Sequence, residues 1–335
     1  MEPIDFVVLW VDGNDPEWKE KRSMYTEGEK SDAGENRYRD WDNLVYWFRA
    51  VAAYAPWVNR IHLVTDGQVP HWLNITHPKI HLVNHADYIP ESALPIFNSS
   101  GIEIAIHRIP GLSDRFVYFN DDMFLNKPVS QNLFFHGDLP VDMPGLTRPS
   151  FSSGNPDQNS VFSSLLMNDF RIINQHFKKR QILVAHWKKW FRLSYGKTFL
   201  RTILNLGRHE FDGMVMPHLA VPYRKNDLLR VWAACGDELE LVQYNRFRDR
   251  SDINHFLFRF WRLCVGDFYP SASKGKYIPI KDLRTAKRAA DTIRKGKATM
   301  ICLNDCWEGN QFEIARDIIN AAFKERLYEK CEFEY

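Results

Sequence analysis

The sequence has no long hydrophobic run, and this excludes a membrane-spanning helix. Its longest apolar stretches, such as residues 6–11, are far shorter than the roughly 20 residues that a helix needs to cross a bilayer. The opening Met-Glu-Pro-Ile-Asp has neither the basic region nor the apolar region of a secretory signal. We therefore expect a cytoplasmic protein without a transmembrane segment.

The chain also lacks an excess of charge of one sign and has few cysteines. It carries 44 Lys plus Arg against 42 Asp plus Glu, so no global field attracts a nucleic acid. The five cysteines are widely spread, and none has the C-x-x-C spacing of a zinc or redox site. Reduced thiols and no nucleic-acid partner are the expectation.

Local basic clusters stand out against this balance, at residues 178–180, 188–189 and within 284–297. They are compatible with peripheral contact with an anionic membrane or a negatively charged polymer. A solvated helix face is the commoner reason for such clusters. The 11 tryptophans fit either a thick core or a site that stacks on carbohydrate.

Short apolar runs alternate with helical patterns in the first part of the chain. Residues 4–11, 60–65, 79–84 and 115–119 read as buried strands, and residues 42–54 carry the apolar stripe of a helix. This alternation predicts β-α-β units and hence an α/β fold, Rossmann-like, with a mostly parallel sheet.

The pattern changes after about residue 135. Prolines and a glycine predict a loop over 134–153, and helices are predicted over 160–177 and 185–206. A strand at 297–303 and a final helix at 309–327 restore the α/β pattern. We therefore predict a catalytic core at 1–135 and 207–335 with a mainly helical insertion at 136–206.

Acidic residues follow three of the predicted strands, where open α/β sheets bind their ligands. Asp12 and Gly13 follow the first strand, and a structural Asx turn is the alternative there. Asp121 and Asp122 follow Asn120 at the end of 115–119. If that strand stays extended, Asn120 and Asp122 share one face and Asp121 takes the other. Asp122 would then meet a magnesium ion most directly.

The pair Asn304 and Asp305 ends the strand at 297–303 in the same manner, and two such strand ends can converge on one cation. Helix capping is the alternative for both pairs.

Candidates for phosphate binding and proton transfer lie elsewhere in the sequence. Arg39, Arg246 and Arg248 can grip phosphate oxygens, although isolated basic residues more often form a solvated face. His218 lies in a proline-flanked loop, and an imidazole titrates near neutrality, as a general base should. A structural histidine is the alternative.

Four separated blocks of the sequence resemble the Stealth proteins, which include bacterial capsular polysaccharide phosphotransferases and the catalytic part of N-acetylglucosamine-1-phosphotransferase. The blocks occur in the family's order over nearly the whole chain. They are residues 4–18; residues 37–40 through 97–99 to Asn120-Asp121-Asp122; His218 through Arg246-Phe247-Arg248 to Asp252-Ile253-Asn254; and Ile301-Cys302-Leu303-Asn304-Asp305 with Cys331-Glu332-Phe333-Glu334. Trp41, Asp42 and Cys331 depart from the family pattern, and the first two positions bear on acceptor or sugar choice.

The resemblance implies a glycosyltransferase-A-like fold and transfer of a hexose-1-phosphate from a UDP-sugar to a hydroxyl of an oligo- or polysaccharide acceptor, with release of UMP. The cofactor would be Mg²⁺, with Mn²⁺ as an alternative. The implied roles are catalysis by His218, Asp121 and Asp122; metal binding by Asp122, Asn304 and Asp305; and substrate binding by Asp12, Gly13, Arg39, Asp40, Asn98, Ser99, Arg246 and Arg248.

Two other functions fit the same residues. An ordinary metal-dependent glycosyltransferase would release UDP instead of UMP. A non-catalytic carbohydrate-binding protein would use the tryptophans, but sugar binding alone requires no acid pair.

Overall fold

A computed structural model describes residues 2–26, 38–148 and 156–335 of the chain. The strands, in chain order, are β1 (Ile4–Leu9), β2 (Ile61–Thr65), β3 (Ile80–Asn84), β4 (Arg115–Asn120), β5 (Met123–Leu125), β6 (Phe135–His136), β7 (Leu139–Asp142), β8 (Val221–Arg224), β9 (Tyr269–Pro270), β10 (Gly275–Ile280) and β11 (Met300–Asp305).

The helices, in chain order, are α1 (Pro16–Ser23), α2 (Leu44–Tyr54), α3 (Ser99–Glu103), α4 (Pro156–His176), α5 (Lys179–Ala185), α6 (Trp187–Trp190), α7 (Lys197–Leu204), α8 (Lys225–Gln243), α9 (Phe256–Val265), α10 (Leu283–Arg294) and α11 (Phe312–Arg326). None of the helices in the described ranges is both long enough and apolar enough to cross a membrane.

The central sheet has five strands in the order β3-β2-β1-β4-β8. β1 pairs in parallel with β2 and with β4, β2 pairs in parallel with β3, and only β8 runs antiparallel to its neighbour. Residues 4–8 of β1 are buried on both faces, as a strand covered on two sides must be. The predicted α/β fold with a mostly parallel sheet is therefore confirmed.

A second sheet of three strands, in the order β10-β11-β5, lies next to the central one. β11 pairs in parallel with β10 and antiparallel with β5. β4 belongs to the central sheet and β5 to the second, so the chain passes from one sheet to the other in the two-residue turn at Asp121 and Asp122. The condition under which Asn120 and Asp122 would share one face of an extended strand is not met, because β4 ends at Asn120.

The central sheet separates two hydrophobic cores. One core packs α2, α10 and α11 together with the second sheet, and includes Phe6, Trp47 and Phe323. The other packs helices α8 and α9 against the opposite face, and includes Tyr118 and Phe260. Because both faces of the central sheet are buried, the strand ends that carry site residues are held in place.

Helices α4 to α7 lie within 156–204, in the range of the predicted helical insertion. The predicted loop over 134–153 contains the short strands β6 and β7, and its residues 149–153 lie outside the described ranges. The predicted continuous helix over 185–206 is wrong: α6 ends at Trp190, and Gly196 with φ of 55° separates it from α7. The boundaries of core and insertion stay a prediction.

A buried ionic cluster joins β7 to α9. The carboxylate of Asp142 accepts hydrogen bonds from Arg259 at 2.8 Å and from Arg262 at 2.8 Å. Burial alone would raise the pKa of Asp142, but the two guanidinium groups hold that pKa below its ordinary value. The cluster fixes β7 against α9, because a buried carboxylate is stable only while both partners stay in place.

Candidate active site

A cavity of about 940 Å³ opens where β1, β4 and β11 end. Its size is that of a pocket for a cofactor-sized ligand. The predicted site residues that line it are Arg39, Asp40, Ser99, Asp121, Asp122, His218, Arg248, Asn304 and Asp305. Residues more than 260 positions apart in the sequence thus meet at one edge of the fold.

The turn between the two sheets carries Asp121 and Asp122 into the cavity. The backbone N–H of Leu303 donates to the carbonyl oxygen of Asp122 at 2.8 Å, which fastens the turn to β11. The neighbouring Asn120 is not free to rotate, because its side-chain oxygen accepts a hydrogen bond from the Tyr118 hydroxyl at 2.6 Å. Both acids are therefore held by the backbone of two sheets.

Asp122 has one carboxylate oxygen that is partnered and one that is not. Its Oδ2 accepts from the Cys302 thiol at 3.1 Å and lies 4.0 Å from Nε2 of His218. Its Oδ1 is buried and, among the described residues, has no hydrogen-bond partner. An orphaned buried carboxylate oxygen is costly, which makes Oδ1 a point where a ligand or a cation would be stabilised. Ligand atoms of Asp122, His218 and Cys302 lie within 4.8 Å of one another.

His218 adopts a backbone conformation that is rare for residues other than glycine. Its φ is 49°, in the left-handed region, and its ring meets that of Tyr277 edge-on at 5.3 Å. Such a conformation costs free energy and persists only where the surrounding structure imposes it, as at many functional sites. It points the imidazole toward Asp122 in the cavity.

Several acidic groups crowd the cavity, and this affects their protonation. Burial and the neighbouring Asp122 charge raise the pKa of Asp121 to about 8. Burial, with smaller contributions from Asp42 and Asp12, raises the pKa of Asp40 to about 6. Burial also raises the pKa of Asp305. Burial of several carboxyl groups in one cavity thus disfavours the ionised form of each.

Two arginines among the described residues line the cavity, and each is held by a different partner. Arg39 donates to Oδ2 of Asp305 at 3.3 Å and stacks over the Phe312 ring at 4.5 Å. Arg248 donates to the hydroxyl oxygen of Ser99 at 2.7 Å. Ser99 and Arg248, which were both predicted to bind substrate, therefore contact each other at the start of α3.

Four predicted substrate ligands do not line the cavity as it is formed by the described residues. Asp12 forms an Asx turn, in which its Oδ1 accepts from the Asn14 backbone N–H at 2.8 Å. Asn98 caps α3 and donates to Asp252 at 2.9 Å. Arg246 donates to the Pro95 carbonyl and stacks over the Tyr25 ring at 4.3 Å.

The fourth, Gly13, acts through the segment packed against it. A Cβ at this position would collide with the carbonyl oxygen of Tyr38, so only glycine permits the close approach. Tyr38 directly precedes Arg39 and Asp40, both of which line the cavity. Gly13 therefore positions two cavity residues.

Sequence reasoning missed several residues of the cavity. The sequence marks Cys302 only as one of the reduced thiols and does not mark Tyr277 or Lys281, although all three contact the cavity or its acids. Trp41, which departs from the family pattern, also lines the cavity. Trp41 donates its indole N–H to Oδ2 of Asp305 at 3.2 Å. The one available signal was that Cys302 lies two residues before Asn304 on β11, and so on the same face of that strand.

The sequence of the chain is similar to those of known proteins. Stealth conserved region 1 matches residues 2–30, and conserved region 2 matches residues 37–141. The capsular polysaccharide phosphotransferase WcwK of Streptococcus pneumoniae is 38% identical over 338 residues, which cover 100% of this chain and 98% of that protein. The chain belongs to the Stealth family. The sequence resemblance is therefore confirmed.

Other relatives of this Stealth protein carry similar names. The exopolysaccharide phosphotransferase cps2G of Lactiplantibacillus plantarum is 39% identical, with 99% of this chain and 96% of that protein covered. The receptor polysaccharide phosphotransferase WefC of Streptococcus gordonii is 37% identical, with 100% and 99% covered. This Stealth protein is an enzyme, a phosphotransferase.

Solved structures resemble the fold only loosely. Mouse xyloside xylosyltransferase 1 matches with a TM-score of 0.34 at 8% identity, covering 90% of this chain and 98% of that chain. The bifunctional glycosyltransferase WbbM matches with a TM-score of 0.36 at 10% identity, covering 98% and 52%. Superpositions this loose support no functional conclusion.

We predict that Gly13→Ala lowers the transferase kcat/KM by about 100-fold, because a shift of roughly 1 Å in catalytic groups has an effect of that size. The added methyl must push Tyr38 and the following cavity residues away. Steady-state kinetics and thermal unfolding of the purified variant test this. Gly236→Ala is the matched control, since its methyl meets only Trp232 at 3.9 Å. Equal loss of activity in both variants would contradict a role specific to Gly13.

Proposed function

We propose that this enzyme acts in polysaccharide synthesis by transferring a hexose-1-phosphate from a UDP-sugar to a hydroxyl of an acceptor sugar, with release of UMP. The sugar is N-acetylglucosamine in the form we favour. The observation that supports this most is the meeting of Asp121, Asp122, His218, Arg39 and Arg248 in one cavity of about 940 Å³. The relatives are named capsular polysaccharide, exopolysaccharide and receptor polysaccharide phosphotransferases, which supports a saccharide acceptor.

The reaction requires one proton transfer and one exchange of bonds at phosphorus. The acceptor hydroxyl oxygen attacks the phosphorus that bears the sugar, while its proton passes to the imidazole of His218. The bond from that phosphorus to the bridging oxygen breaks, and this oxygen leaves as part of UMP. Arg39 and Arg248 pair with the phosphate oxygens on which negative charge accumulates.

The oxygen donors of the cavity residues suit a divalent cation. Oδ1 of Asp122 is buried and unpartnered among the described residues, and the charge of Asp122 contributes to the raised pKa of Asp305. Asp122, Asn304 and Asp305 would therefore hold Mg²⁺ or Mn²⁺ through oxygen donors. When bound, such an ion neutralises the charge of the diphosphate. The Cys302 thiol acts as a hydrogen-bond donor that orients the Asp122 carboxylate.

We place the reaction in the cytoplasm. All five cysteines are free thiols, which is typical of proteins of a reducing compartment.

The identity of the released nucleotide tests the proposed function directly. We expect UMP, together with a phosphodiester-linked product, when the enzyme is incubated with UDP-N-acetylglucosamine and a capsule-type oligosaccharide. Chromatography of the nucleotides and mass spectrometry of the acceptor measure both. Release of UDP with a plain glycosidic product would instead identify an ordinary glycosyltransferase, and sugar binding without turnover would identify a binding protein.

His218→Gln removes the proposed base but keeps a polar side chain of similar size. We expect kcat to fall by about 100-fold or more, with the donor KM changed by less than about threefold, because proton transfer occurs only in the transition state. Turnover is measured from about pH 6 to pH 9. His209→Gln, an exposed histidine in the described chain, is the control. Near-native turnover of His218→Gln at every pH would eliminate this role.

Asp122→Asn removes the charge that a cation would neutralise and leaves the size of the side chain unchanged. We expect Mn²⁺ affinity in calorimetric titration to fall by about tenfold or more, independently of turnover. Asp138→Asn, an exposed carboxylate 3.8 Å from Arg115, serves as the control and should bind Mn²⁺ as the natural protein does. Unchanged Mn²⁺ affinity in Asp122→Asn would place the cation elsewhere.

A further inference from the structure

One segment of the chain is strongly basic in a protein that is otherwise acidic. Residues 170–209 contain 10 Lys and Arg and no Asp or Glu. Subtracting them from the totals of 44 and 42 leaves 34 basic against 42 acidic residues in the rest of the chain. The basic charge is therefore concentrated in α5 to α7 and their connections, together with the end of α4. We call residues 178–208 the basic segment.

Helix α7, which lies within this segment, buries a polar face and exposes an apolar one. Its buried face is small and polar: Thr202 is buried, and its hydroxyl accepts from the Leu146 backbone N–H at 3.1 Å. Its apolar face is in solvent, with Leu200 61% and Leu204 83% exposed. These two residues lie one turn apart on the same face of the helix. A surface helix normally places its leucines toward the core.

The exposed apolar side chains of the protein concentrate in the same place. Of the 21 large hydrophobic side chains exposed in the described residues, seven lie between positions 184 and 206. They are Val184, Trp187, Leu193, Leu200, Ile203, Leu204 and Leu206. Single exposed leucines are ordinary, but a cluster of this kind marks an interaction surface.

The basic side chains around this cluster are available for a partner. Six of them are exposed and have no acidic partner within 4.0 Å in the described part of the chain. They are Lys178, Arg180, Lys188, Arg192, Lys197 and Arg201. The other basic stretch, on α10, differs in this respect. There Arg294 pairs with Glu325 at 2.7 Å and Lys297 pairs with Asp291 at 2.6 Å. The basic segment carries charge that the fold itself does not neutralise.

We propose that the basic segment docks the enzyme on the surface of an anionic phospholipid bilayer. Leucine and tryptophan side chains would enter the boundary between headgroups and acyl chains, while the lysines and arginines contact the lipid phosphates. A second copy of this face would bring the same positive charge against itself, which disfavours a symmetric dimer. A soluble anionic polymer would satisfy the charges but would leave the leucines in water.

Vesicle flotation with the full-length protein tests the proposal. We expect at least about tenfold stronger binding to vesicles of phosphatidylcholine with about a third phosphatidylglycerol than to phosphatidylcholine alone, and weaker binding as salt rises. The double variant Leu200→Ser with Leu204→Ser should lose about tenfold or more in affinity, because both side chains leave the apolar layer. Lys197→Ser with Arg201→Ser should lose affinity mainly at low salt.

The control is Leu229→Ser with Leu241→Ser, which changes two leucines on α8 that are 51% and 69% exposed. Its vesicle affinity should equal that of the natural protein, and circular dichroism should show the same melting for all variants. Equal binding to neutral and anionic vesicles, or no binding, would overturn the proposal. So would sedimentation showing that the α7 leucines support self-association instead. Binding to soluble heparin that survives the α7 leucine changes, without vesicle binding, would favour a polymer.

Discussion

The structure depends on how carboxyl groups are accommodated where the central sheet meets the second sheet. Asp121 and Asp122 occupy the turn through which the chain leaves the central sheet and enters the second one. Neither sheet offers these acids a full set of partners, since one oxygen of Asp122 is unpaired among the described residues and the pKa of Asp121 is raised to about 8 by burial and the Asp122 charge. A bound group that partners these acids would stabilise the junction, and the fold would then be coupled to its ligand.

One acid of the cavity, Asp305, already has partners in the protein. Arg39 and Trp41 both donate to Asp305, and they come from the segment that Gly13 allows to approach. Packing at Gly13 and hydrogen bonds to Asp305 therefore connect the turn after β1 to the end of β11. Precise placement of this kind comes from backbone packing around the cavity rather than from the cavity residues alone.

The fold was predictable because its strongest determinant is local. Apolar runs of four to eight residues with helical stripes between them predicted β1 to β4 and α2 to within two residues at each end. The short strands β6 and β7 were not predicted, because two to four residues between prolines and glycines carry no periodic signal. The break between α6 and α7 was missed because a single glycine in a helical pattern is often tolerated.

The residues of the candidate site were easier to predict than their geometry. Strand-end acids and the family blocks pointed to Asp122, His218 and Asp305, which share the cavity. The assumption of an extended strand gave the two acids opposite faces, whereas a turn brings both inward. Asp12 and Asn98 are engaged in local turns and caps, for which their short polar side chains are equally suited. Sequence alone does not decide between these uses.

The pairing of β5 with β11 has a consequence for how the protein is made. The acid turn is fastened to Leu303, so it reaches its final position only after residue 303 has left the ribosome and β11 has docked. The parallel strands of the central sheet all lie within the first 120 residues, so a chain that ends before β11 contains these strands and still has no assembled site. Unfinished copies of the enzyme would therefore be inactive.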